Sequence, residues 1–265
     1  MDLRQAIDFT LLTFKNKSIL MRRETWQGLE VWNRPEMVTH ELTGHSVIAD
    51  MAGRKALQYY QKQINPDLPW ADDHFAERIS GQPLNPPPSE AHWPHAVNNE
   101  QFKQRGLFSH TYPERFWPKE AGNRPTGIRY PVGDLSDLIG LLAREPYTRQ
   151  AYFPIWFPED TGNVSHVRTP CTLGYHFLLT GDRLDVTYYI RSCDLLRHFR
   201  NDIYFTVRLL LHIINELTTN PWQSVKPGIL RMHIASLHCF RNDFHQLFAL
   251  KEIRHEEELP LRRGT

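Results

Sequence analysis

The sequence predicts an α+β protein whose mixed, largely antiparallel sheet is packed with helices. Three observations carry this expectation. CTLGYHFLLT (171–180) and LDVTYYIRS (184–192) read as two strands joined at Gly181-Asp182 in a hairpin-like turn. After Asp194, a plausible N-cap, Leu195, Leu196, Phe199, Ile203, Val207, Leu210, Leu211 and Ile214 recur at helical spacing through Leu217, as in a long buried helix. GILRMHIASLHCF (228–240) is a further strand, and the resulting order matches neither repeated βαβ units nor a helical bundle.

The remaining elements follow in order. Between Pro35 and about Gln63 the pattern is helical, with Val38, Leu42, His45, Ile48, Ala49 and Met51 on one face and Glu41 one step off it. Residues 66–100 are rich in Pro, Asn and Asp, and the prolines at 86–88 forbid helix there, so a long loop or disordered insertion is expected. GDLSDLIGLLAREP reads as a helix beginning near Asp134 to Ser136 and ended by Pro146, with the strand-like RQAYFPIWF after it. FHQLFALKEI is a closing amphipathic helix. No internal repeat interrupts this order, and one domain over residues 1–265 is expected.

With 40% apolar residues, the 265-residue chain can bury one large core. Its 31 basic and 30 acidic residues nearly cancel, which argues against a nucleic acid and for small-molecule or protein partners. Three cysteines without CxxC spacing indicate neither a disulfide framework nor a zinc site. No signal-peptide core opens the sequence, and no run approaches the roughly 18 apolar residues of a membrane span, so a cytoplasmic protein is expected.

HELTGH (40–45) resembles a zinc-protease motif, but its histidines are five apart, and on a helix they would point about 140° from one another. No metal is expected there. YYIRSCDLLRHFRND offers an anion site in Arg191 and Ser192 beside a helix start, against the alternative of a capping Asp among solvated charges. Cys171 alone reads as a small buried hydrophobe, which free cysteine usually is.

The joint order of Pro170-Cys171, Arg191-Ser192-Cys193-Asp194, Asp202 within FRND and Leu237-His238-Cys239-Phe240 resembles the thymidylate synthase family and its branch of pyrimidine nucleotide hydroxymethylases. His40-Glu41-Leu42 looks like the family's His-Glu-Leu helix, and REPYTRQAYFPIW like the segment that reaches the partner subunit's phosphate, with Arg149 kept and Gln150 in place of a second arginine.

The resemblance implies a thymidylate synthase-like fold and a sheet-mediated homodimer. It also implies an enzyme that takes 5,10-methylenetetrahydrofolate as co-substrate and no metal. Cys171 would be the nucleophile, Glu41 the proton manager and Tyr112 the tyrosine beside the cysteine. Arg191, Ser192 and the partner's copy of Arg149 would hold the phosphate, with Arg22 or Arg23 a further candidate. His238 and Phe240 would lie at the sugar, and Asp194 and Trp70 at the folate.

Thiolate addition at C6 of a pyrimidine makes C5 nucleophilic toward a one-carbon electrophile. Hydride then gives methyl, whereas water gives hydroxymethyl. Synthases carry Asn at the position of Asp202, and a carboxyl there inverts the hydrogen-bond pattern toward cytosine. The expected activity is therefore 5-hydroxymethylation of a cytidine monophosphate. Phe240, where the family has a tyrosine on the sugar hydroxyl, leaves CMP and dCMP both open, with CMP favoured. A methylating synthase and a non-catalytic nucleotide-binding relative are the alternatives. ELPLRRGT does not match the synthases' apolar tail that closes over folate, and the mode of closure stays open.

Overall fold

Two long strands and one hairpin organise the chain. The computed structural model describes residues 1–26, 29–51, 53, 56–95, 99–121, 132–161, 168–217, 222–248 and 262–263. In chain order these hold helix α1 (Leu3–Lys17), strand β1 (Ile19–Arg22), the ribbon β2 and β3 (Thr25–Trp26, Leu29–Glu30) and strand β4 (Thr39–Asp50). Helices α2 (Leu57–Ile64) and α3 (Trp70–Arg78) follow, then the ribbon β5 and β6 (Lys103–Gln104, Leu107–Phe108) and helices α4 (Tyr112–Phe116) and α5 (Leu135–Arg144). Strands β7 (Tyr152–Pro154), β8 (Thr172–Thr180) and β9 (Arg183–Asp194) lead into α6 (Phe199–Glu216), β10 (Lys226–Phe240), α7 (Arg241–Phe248) and β11 (Arg262–Arg263).

The main sheet has the order β11-β1-β4-β10-β9-β8-β7. Four of its pairs are antiparallel, while β9 with β10 and β1 with β11 run parallel, which gives the mixed α+β class. Joining the parallel β9 and β10 needs a crossover, and α6 supplies it. Along β9 up to Arg191 the buried positions are Leu184, Val186, Tyr188 and Ile190, the period of two that a half-covered strand requires, and at its end Cys193 and Asp194 are both buried. Helix α6 lays Ile203, Val207, Leu210 and Ile214 into the same core, where each buried aliphatic side chain contributes about 1.5–3 kcal/mol.

The helix expected over residues 35–63 is instead strand β4, followed by the short α2. Burial on β4 falls on alternate residues, Thr39, Glu41, Val47 and Ala49, and the strand pairs with β10 from Ile229↔Asp50 to Phe240↔Thr39. Gly44 sits at φ +66, a conformation that glycine adopts without a Cβ penalty. Long-range pairing thus overrides a spacing that imitated a helix face. On this strand His40 and His45, five residues apart, point to opposite faces and are still not placed to share a metal.

Residues 66–100 are not a featureless loop. They contain α3 and a 3-10 turn at Pro88–His92. The prolines fall outside the helix body: Pro69 is its N-cap, where a missing N–H is no loss, and the triple proline lies beyond Arg78. Asp194 ends β9 and is not the helix N-cap, which is His198. Its Oδ1 accepts from the backbone N–H groups of Leu196 (2.9 Å) and Arg197 (3.0 Å), capping the turn that precedes α6. The 133–146 helix and the hairpin stand as expected. The closing helix runs from Arg241 to Phe248, and the rest of its expected span lies outside the described residues.

Candidate active site

Cys171 is the residue immediately before β8, held there by its neighbour on β9. Arg191 Nε donates to the Pro170 carbonyl at 2.8 Å, and its Nη2 donates to the carbonyl (3.0 Å) and Oγ1 (3.3 Å) of Thr169. The Arg191 backbone N–H also donates to the Cys171 carbonyl at 2.9 Å. Burial raises the Cys171 pKa, with Arg191 and Arg168 opposing the rise and Asp202 and Asp194 adding to it. Burial prevails, so the sulfur rests as a protonated thiol. Gly174, three residues on, lets β7 approach closely, because a Cβ there would lie 2.7 Å from the Phe153 carbonyl oxygen.

Tyr112 opens α4 and reaches the same spot. Its hydroxyl accepts from Thr172 Oγ1 at 3.2 Å, next to Cys171, and burial first, then the charge Cys171 carries once ionised, push its pKa up to about 12. A capping box fixes the start of α4: Thr111 and Glu114 serve each other's backbone N–H groups. Arg115 then ties α4 to the 158–160 turn through two buried bonds to Asp160, at 3.0 and 2.8 Å.

Asp202 lies in the first turn of α6. Burial drives its carboxyl up to about 7 despite the opposing charge of Arg78, and Cys193 Sγ donates to its Oδ2 at 3.5 Å. Cys193 therefore hydrogen-bonds as well as packs.

Three further candidates stand in one row across the sheet. His238 on β10 pairs in register with Glu41 on one side and Asp194 on the other. Glu41 is buried and accepts from Thr39 Oγ1 (2.9 Å), Ser236 Oγ (3.1 Å) and Arg23, whose Nε lies 3.0 Å from Oε1. Burial would raise the Glu41 pKa, but Arg23 and the two hydroxyls outweigh it and hold it below the usual range. Burial lowers the pKa of His238, whose Nδ1 is 3.5 Å from Ser192 Oγ. The Phe240 ring is edge-on to His238, with centroids 6.3 Å apart, and Arg197 lies over Phe240. Asp194 binds Arg197 Nη1 at 2.9 Å in addition to its backbone bonds.

Trp70, on α3, is buried in a wall of rings. It stacks on His74 at 5.0 Å and meets Phe205 edge-on, and Trp93 stacks on His198 at 5.2 Å. The indole N–H groups of Trp70 and Trp93 are buried without a partner.

Two candidates stay apart from the cluster. Arg149 is exposed just before the edge strand β7, and Arg22 turns its Nη1 to the Trp32 carbonyl at 2.9 Å. Conversely, Arg78 and Arg168 belong near Cys171 and Tyr112 and were not anticipated. Arg78 fell in the segment read as a loop, and Arg168 had no motif around it. Among the described residues no group of three or more His, Cys, Asp or Glu is placed to hold a metal, and no helix is long and apolar enough to cross a membrane.

The thymidylate synthase family model matches residues 98–262, more than half of the chain. The chain is 29% identical over 115 residues to a thymidylate synthase of Rhizorhabdus wittichii, covering 43% of this chain and 34% of that protein. Over 155 residues it is 31% identical to the deoxyuridylate hydroxymethyltransferase of Bacillus phage SP01, covering 56% of this chain and 38% of that one. The matches thus span little more than a third of the length of either relative. The family match includes Tyr112, Arg149, Cys171, Arg191, Asp202 and His238, whereas Glu41 and Trp70 precede it. The chain belongs to the thymidylate synthase family.

Proposed function

We propose that this protein transfers a one-carbon unit from 5,10-methylenetetrahydrofolate to C5 of a cytidine monophosphate and completes the reaction with water, giving 5-hydroxymethyl-CMP or its deoxy counterpart. The observation that carries the cytosine reading is Asp202. Its half-buried carboxyl is pushed up to about 7 by desolvation, so near neutral pH it can share a proton with cytosine N3 while accepting from the N4 amino group.

That proton has a use. Attack of the Cys171 thiolate at C6 pushes the C5–C6 electron pair into the ring, and Asp202 can deliver its proton to N3 as the charge arrives. Tyr112 and Thr172 order the space beside the sulfur. Glu41, held ionised by Arg23, suits a base or water-orienting role. Arg191 and Ser192 would take the phosphate, with His238 and Phe240 at the sugar, and Phe240 offers no hydroxyl to a sugar oxygen.

The folate supplies the one-carbon electrophile. Trp70, Trp93 and Asp194 fit it, because the stacked rings and the two unpartnered indole N–H groups suit a flat heteroaromatic ring with acceptor atoms. We also propose a homodimer through the open sheet face, where Ile48 is 51% and Tyr152 45% exposed. Arg149, three residues before Tyr152, would then reach the partner's phosphate site.

A uracil nucleotide is the second reading, because the phage relative is named for deoxyuridylate and a neutral carboxyl can also face uracil. Incubation with CMP, dCMP or dUMP and methylenetetrahydrofolate, followed by mass analysis, separates the readings. A gain of about 30 Da (CH₂O) on a cytosine nucleotide supports the proposal, and about 14 Da (CH₂) indicates methylation. Turnover of dUMP alone would overturn the cytosine reading.

A further inference from the structure

Arg78 is a cation in an unusual place. It is 3% exposed, and its guanidinium carbon lies 4.1 Å from the centre of the Tyr112 ring and 4.2 Å from that of Phe205. Tyr112 reaches Thr172 beside Cys171, and Phe205 is one helical turn beyond Asp202 on α6. The guanidinium is thus wedged between the element beside the thiol and the helix that carries the base-reading carboxyl.

Its polar contacts are sparse. Arg78 Nε is buried without a hydrogen-bond partner, and among the described residues no carboxylate pairs with Arg78 directly. Its Nη2 lies 3.1 Å from His74 Nε2, whose Nδ1 is 3.0 Å from Ser89 Oγ, and that hydroxyl donates to Glu77. A guanidinium can only donate, so His74 Nε2 accepts and His74 Nδ1 carries the hydrogen. The chain therefore runs without a clash from the Glu77 carboxylate through Ser89 and neutral His74 to Arg78. This orients the guanidinium while leaving its charge without a direct carboxylate partner.

We propose that Arg78 is a positioning residue for the base reader, a fixed positive charge that holds the Tyr112 ring against α6 and acts on the Asp202 carboxyl. The inference rests on the reading of Asp202 as the group that meets the base. Asp202 feels the charge of Arg78 from α3 and is coupled electrostatically to Tyr112 from α4, Cys171 and Tyr175 from the β8 side, and Tyr188, Cys193 and Asp194 from β9, with Cys193 in direct contact. Of these, only Arg78 carries a fixed positive charge. Desolvation raises the Asp202 carboxyl and the Arg78 charge opposes that rise, which keeps it where a proton can pass to and from a base.

Carbon-13 carboxyl NMR of the full-length, nucleotide-free protein tests this, with the Asp202 signal assigned by its loss in Asp202→Asn. Arg78→Gln is expected to raise the Asp202 midpoint by about one pH unit or more, and Arg78→Lys, which keeps the charge, to return it most of the way. If Arg78→Gln does not fold, Arg78→Met, which keeps an apolar stem between the rings, carries the same expectation. An unmoved midpoint in the neutral variant, or equal shifts in the Lys and neutral variants, would overturn the inference. CMP affinity measured against pH forms a separate arm. If the carboxyl midpoint shifts and CMP affinity does not follow it, the base reading fails while the action of Arg78 on Asp202 stands.

Discussion

Arg191 Nε donates to the carbonyl of Pro170 at 2.8 Å, so the arginine proposed to hold the phosphate also fixes the peptide that presents Cys171. Its charge opposes the burial that raises the thiol pKa. Arg191→Gln should therefore raise that pKa further and leave less thiolate at any given pH. Cys171 alkylation measured against pH should slow, with its inflection moved upward, and nucleotide affinity should fall with it. Unchanged alkylation would show that the guanidinium does not act on the sulfur.

The Asp202 carboxyl, up at about 7 in the folded protein, should place a descending limb in the pH profile of kcat, because the form that can protonate N3 is lost above that point. Asp202→Asn should remove this limb and shift base preference toward uracil nucleotides by about 100-fold. Stability should show the same group. A carboxyl whose folded pKa is raised binds a proton more tightly when folded, so wild type should lose stability relative to Asp202→Asn as pH rises from the unfolded carboxylate value to about 7. Parallel stability curves would place Asp202 in solvent.

Arg23 holds the Glu41 pKa down, so Arg23→Gln should raise it. If ionised Glu41 is required, the acidic limb of the kcat profile moves to higher pH in that variant. An unmoved limb would assign it to another group.

The Arg115–Asp160 pair is buried on both sides and bonded twice. Arg115→Ala leaves an unpaired buried carboxylate and should cost about 3–5 kcal/mol in urea unfolding. A loss under about 1 kcal/mol would mean that Asp160 takes up a proton or reaches solvent in the variant.

Elements with an unambiguous period or a strong turn could be read from the sequence, as the hairpin at Gly181 and helices α5 and α6 show. Strand β4 could not, because Val38, Leu42, His45 and Met51 fall at helical spacing by coincidence while its conformation is set by β10, nearly 190 residues away. Helix α3 was hidden by prolines that in fact flank it. The cluster around Cys171, Asp202 and His238 was legible because those residues lie near β8, β9, α6 and β10, whose order brings them together. Arg78 was not, since its place depends on α3 packing against α6 and α4, which no local pattern encodes.

Release of tritium from the C5 position of labelled nucleotides reads both the nucleophile and the base, since it requires the Cys171 sulfur to add at C6 of the chosen base. The expected result is folate-dependent release from CMP or dCMP well above that from dUMP, abolished in Cys171→Ser. Release from dUMP with both cytosine nucleotides inert, or release that survives in Cys171→Ser, would contradict it.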